Sequence, residues 1–148
     1  MAVTVREQVL AAFFAKLEAI TGVYGLSVER NRDTEVTGFP TVVQADGPVR
    51  ADRLFSSTTT YTAQVDVEAY VQADATGKTR EEQLDELYGK VVQAVTADPT
   101  LGGLAVDVQE IELATRPDRT PGHMTGGALL ASFEIMFETV EGDPFTQA

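Results

Sequence analysis

The chain has 148 residues, with 43% hydrophobic and 23% charged residues, no cysteine and a formal net charge of −12. That length supports one hydrophobic core and hence a single domain over 1–148, and the composition excludes general disorder. The missing cysteines exclude disulfides and thiolate metal sites, and the negative field disfavours nucleic-acid binding while leaving open a wall that phosphate slides past.

Met1 to Glu7 carries a charge pair where a signal peptide needs an apolar run, and no stretch reaches membrane-spanning length, so a protein of the cytosol, without membrane contact, is expected. Thr4 and Glu7 form a capping box, behind which Val9, Leu10, Phe13, Leu17 and Ile20 recur at helical spacing. They predict an amphipathic helix over about 4–20, stopped at Gly22. Leu26-Ser27-Val28 reads as an irregular extended piece before the charged run Glu29 to Asp33. Phe39-Pro40 imposes an extended approach to a short strand, Thr41 to Gln44, closed by Asp46-Gly47-Pro48.

Residues 46–60 are too polar to bury themselves and read as a mobile loop. Within it Leu54-Phe55 is an apolar pair beside Arg50 and Arg53. The pair suits an anchor on another subunit or on a tube, or else packs in the chain's own core. From Tyr61 to Ala73 apolar and polar residues alternate, predicting a strand with one core face and one polar face. A second capping box, Thr79 with Glu82, opens an amphipathic helix over about 80–97. Leu84, Leu87, Tyr88, Val91, Val92 and Val95 form its stripe. Gly102-Gly103 is read as a turn at its C-terminus, where the dipole disfavours anions.

Val106 and Val108 alternate and then change phase to Ile111 and Leu113, which predicts a bulged strand with an extra residue near Gln109-Glu110. After a long loop, Thr115 to Gly127, the last strand carries Leu129, Ala131, Phe133, Ile135 and Phe137, leaving a short tail at 141–148. The fold class expected is α+β, a mostly antiparallel sheet of about four strands with two amphipathic helices on one face. The segment 61–113 adds a possible right-handed parallel crossover.

No catalytic elbow, phosphate loop or dinucleotide fingerprint is present, and the one histidine, His123, sits in a Gly/Pro loop without Cys or His partners. Neither an enzyme nor a cofactor is implied. Asp66, Glu68, Glu134 and Glu138 fall at alternate strand positions, where a solvated outer face is the simplest reading. Arg50, Arg53, Arg116 and Arg119 read first as solubilising charges and salt-bridge partners, with a contact role as the alternative. Leu130 and Met136 interrupt the polar face of the last strand and suggest partial cover by another element or a neighbouring subunit.

The amphipathic N-terminal helix, the Phe39-Pro40-Thr41-Val42 strand and the junction Ala97-Asp98-Pro99-Thr100-Leu101-Gly102-Gly103-Leu104 form one pattern with the closing run Phe133 to Phe137 into Glu141-Gly142-Asp143-Pro144. This pattern resembles the tail terminator, or tail-completion, proteins of long-tailed phages and gene transfer agents, and related head-to-tail joining proteins of the neck share much of it. The resemblance implies a virion protein, assembled in the host cytoplasm, that forms a homohexameric ring on the finished tail tube. It would stop tube polymerisation and offer the docking surface for the head, with tube and connector proteins as partners and DNA passing through the lumen unbound. In such a ring Arg50, Arg53, Leu54, Phe55, Arg116, Arg119, Leu130 and Met136 are the candidate interface residues. Asp66, Glu68, Glu134 and Glu138 are the candidate lumen residues. A reading of a different class is a small α+β hydrolase or ligand-binding domain with carboxylates at one end of the sheet.

Overall fold

The computed structural model describes residues 2–32, 38–55, 57–72, 79–117 and 126–148, without the side chains of 53–55, 115–117 and 126. Helix α1 spans Val5–Glu18, and its Thr4 hydroxyl accepts the Glu7 N–H at 3.1 Å. The reciprocal half of the expected box does not form, because Arg30 takes the Glu7 carboxylate. Helix α2 spans Arg80–Thr96 and is capped in the same way by Thr79, whose hydroxyl accepts the Glu82 N–H at 3.1 Å. The buried stripes are Val5, Val9, Leu10, Phe13 and Leu17 on α1, and Leu84, Leu87, Val91 and Val95 on α2.

The strands are β1 (Ser27–Arg30), β2 (Thr41–Phe55), β3 (Thr58–Gln72), β4 (Asp107–Pro117), β5 (Gly126–Val140) and β6 (Asp143–Gln147). They form one six-stranded mixed sheet in the order β1-β2-β3-β5-β4, with β6 alongside the end of β5. Only β1 and β2 pair in parallel. β3 and β4 run in the same direction, as the crossover through α2 requires, but β5 is inserted between them.

Several sequence expectations are corrected here. The irregular piece near Leu26 is β1, which finds a ladder partner in Thr41 to Gln44. The short strand does not stop at Asp46-Gly47-Pro48; those residues form a bulge, after which β2 runs on to Phe55. The described residues of the segment 46–60, expected as a loop, are therefore the distal half of the β2–β3 hairpin, in which one edge of β2 pairs with β3 despite the polar composition. The loop expected at Thr115–Gly127 is shortened at both ends by β4 and β5, and its middle lies outside the described residues. The tail at 141–148 contains β6, where Gly142 (φ 74°) makes the reversal.

The bulge expected in the 106–113 strand is present, with Ile111 as its extra residue between Glu110, opposite Phe133, and Glu112, opposite Ser132. The turn expected at Gly102-Gly103 is also present. Leu101, Gly102 and Gly103 all have positive φ, and the Asp98 carboxylate accepts the Thr100 and Gly102 N–H groups at 3.1 and 2.8 Å. At the β2 bulge the requirement for glycine is steric, since a Cβ on Gly47 would stand 2.7 Å from the Gln64 carbonyl oxygen. Backbone cannot yield as a side-chain tip can, so Gly47→Ala is expected to cost about 1–3 kcal/mol in a urea titration.

Both helices pack on the same side of the sheet, α1 against β1, β2, β5 and β6, and α2 against β3, β4 and β5. Ala63, Val65, Val67, Ala69 and Val71 of β3 and Leu129, Ala131, Phe133, Ile135 and Phe137 of β5 are buried beneath them. Phe13 meets Phe133 edge to face with ring centroids 5.6 Å apart, and Tyr61 stacks on Phe137 at 5.1 Å. Among the described residues no helix is long and apolar enough to cross a membrane.

Candidate functional site

Directly opposed residues of paired strands share a face, so the register defines what lies on the side away from the helices. Across β2, β3, β5 and β4 the rows there include Val43-Glu68-Leu130-Ala114, then Ala45-Asp66-Ser132-Glu112. Gln64-Glu134-Gln109 and Arg50-Thr62-Met136-Asp107 follow, and Thr60-Glu138 lies beyond them. The four carboxylates picked out from the sequence, Asp66, Glu68, Glu134 and Glu138, therefore share one face, which no described element covers. Asp107 and Glu112 of β4 and Glu29 of β1, opposite Val43, add to it. Sequence reasoning missed these three because the limits and the register of the outer strands had not been drawn.

Glu29 is ion-paired with Arg32, whereas Asp66 and Glu68 accept from neutral neighbours. Asp66 Oδ1 accepts from Ser132 Oγ at 2.7 Å and from Gln64 Nε2 at 3.2 Å, and Glu68 Oε2 accepts from Tyr70 OH at 2.6 Å. Ser132 is buried with its proton committed to a carboxylate, the arrangement of a structural hydroxyl and unlike an exposed nucleophile. Among the described residues no group of three or more potential metal ligands is gathered together.

Leu130 and Met136 both lie on the carboxylate face, the first half-buried and the second 39% exposed. Arg50 is on this face too, 75% exposed and 3.5 Å from the Asp52 carboxylate. The backbones of Arg53, Leu54 and Phe55 are in β2 and that of Arg116 is in β4, but their side chains lie outside the described residues. Arg119 and His123 lie outside them altogether. The described candidate residues are thus divided among a face that no described element covers, a hairpin end and an edge strand.

On the helix side is an ionic cluster the sequence did not reveal. Arg30 of β1 forks onto Glu7 of α1, at 2.7 and 2.9 Å, and onto Asp46 Oδ2 of β2, at 3.1 and 2.8 Å. Asn31 donates to the same oxygen at 2.9 Å, and Gln44 Nε2 donates to Asp46 Oδ1 at 2.9 Å and to the Leu10 carbonyl at 3.2 Å. The hydrogen bonds from Arg30 hold the Glu7 carboxyl below its ordinary range. Burial raises Asp46, but donation from Gln44, Arg30 and Asn31 outweighs it and leaves that carboxyl lowered as well. The only hint in the sequence is Gln44, a polar residue on the inward phase of an apolar strand. The cluster ties α1 to the β1–β2 edge, and its groups are already engaged with each other.

Comparison of the chain with protein-family models and with curated proteins gives no match.

Proposed function

We propose that this protein is a structural component of a tailed-phage or gene-transfer-agent particle, a tail terminator whose copies form a ring on the tail tube, and that it has no catalytic role. The observation that supports this best is the one-sided architecture: two helices close one face of the sheet, and the other face, which no described element covers, carries Asp66, Glu68, Glu134, Glu138, Asp107 and Glu112. A wall of fixed negative charge raises the local potential against phosphate, so DNA threads past it without condensing on it. In this reading the open face lines the lumen, the tube protein and the head–tail connector contact the two ends of the ring, and termination follows from covering the tube end. Particle assembly begins in the host cytoplasm and the finished protein resides in the virion.

The test is charge reversal on the open face. In complemented particles, Asp66→Lys with Glu68→Lys, and separately Glu134→Lys with Glu138→Lys, are expected to slow DNA ejection or trap DNA in the tail while tails still assemble. Normal ejection and infectivity in both double variants would overturn the lumen assignment.

A further inference from the structure

Among the described residues the sheet ends in two edges without a strand partner, and their chemistry is complementary. On one side β1 pairs with Thr41 to Gln44 of β2 and the Asn31 side chain accepts the Asp46 N–H at 2.9 Å, so beyond Asp46, as far as Phe55, no described strand flanks β2. On the other side β4, 11 residues long, pairs with β5 and with no other described strand. β3 and β5 separate the two edges, so within one chain they stand about 14 Å or more apart at ordinary strand spacing and cannot meet. An edge strand with unpaired backbone groups and exposed apolar side chains is a template for another strand. The β4 edge exposes Ile111 at 44% and Leu113 at 45%.

We infer that β4 of one copy pairs with the free part of β2 in the next copy, continuing the sheet from subunit to subunit around the ring. Direction, charge and surface type each support this occupant. Three successive antiparallel pairings separate β2 from β4, so two copies in the same orientation bring β4 and the neighbouring β2 together antiparallel, the favoured arrangement. On the carboxylate face β4 offers Asp107 and Glu112, while β2 offers Arg50, whose side chain is 75% exposed. Residues 48–55 hold two arginines against one aspartate in a chain of net charge −12. On the helix face Leu113, opposite Ala131, meets a strand carrying Val49 and Ala51. The contact joins two different surfaces, so it repeats from copy to copy instead of stopping at a dimer, and the ring is the form in which the repeat closes.

This inference rests on the ring reading, and the experiment separates the two. The chain has no cysteine, so Asp52→Cys is combined in turn with Asp107→Cys, Gln109→Cys, Glu112→Cys or Ala114→Cys, alternate positions that cover the registers of one face. Each full-length variant is oxidised after its melting temperature is shown to match the parent's. At least one pair is expected to give a ladder of covalent multimers, while the single-cysteine variants stop at dimers. Arg50→Glu or Glu112→Arg alone is expected to weaken association at least tenfold in sedimentation equilibrium, and the two together to restore it. Rings in native mass spectra without a ladder from any pair, and without response to either charge reversal, would overturn the edge pairing and leave the ring standing. An absence of any multimer, in solution and on head-proximal tail ends, would remove both.

Discussion

Replacing Phe133 by alanine is expected to destabilise the protein by about 3–5 kcal/mol, the cost of a large cavity where neighbouring groups relax only partly. Phe133 is fully buried at the centre of β5, beneath both helices, and its ring is the partner of Phe13. Loss of the edge-to-face contact adds to the loss of apolar burial, so α1 loses its seat on the sheet as well as its share of the core. At roughly 2–4 °C per kcal/mol for a domain of this size, calorimetry should show a fall in melting temperature of about 6–20 °C. Phe133→Leu, which keeps most of the volume, should lose well under half as much. A change below about 1 kcal/mol in the alanine variant would mean that the core is not organised around this ring.

Asp46→Ala is expected to cost about 2–3 kcal/mol, since Arg30, Asn31 and Gln44 each lose an acceptor and the Arg30 charge keeps only the more exposed Glu7. The same cluster fixes a pH dependence. The folded-state values of Glu7 and Asp46 both lie below their ordinary ones, so the stability they contribute is fully present above about pH 4–5 and is lost as pH falls through those lowered values. Urea titrations of the parent should therefore weaken in strong acid, and those of Asp46→Ala should weaken less over the same window. Parallel curves for the two proteins would show that the cluster contributes no linked protonation.

Elements with strict periodicity were legible in the sequence. The two capped helices and the alternation through Tyr61 to Val71 and Leu129 to Phe137 have their period set by burial on one side, and burial is what apolar spacing records. The bulge at Ile111 was legible for the same reason, as a break in phase. β1, the distal half of β2 and β6 were not, because their strand state depends on ladder partners and not on a buried apolar phase of their own: Thr41 to Gln44, residues 58–63 and Thr139-Val140. Polar composition at 46–60 suggested a loop because Val49 is the one apolar residue described in this part of β2 that packs on the core, too little to make a periodic signal. The open acidic face was half visible. Alternation placed Asp66, Glu68, Glu134 and Glu138 on the outer phase of two strands, but their union on one surface needed the register of β3 against β5. The Glu7–Arg30–Asp46 cluster gave almost no signal, since it joins three segments whose charges are ordinary one at a time.

The central claim is that copies of this chain close into a ring with the acidic sheet face inward, and the most direct measurement is native mass spectrometry of the full-length protein joined to imaging of the head-proximal tail ends that carry it. The predicted result is a species of six times the 15.9 kDa chain mass, in solution or on the tube end, with β3 and β5 lining the channel in the reconstructed ring. Monomers and dimers alone in both measurements, or a ring whose channel is lined by the helices, would contradict it.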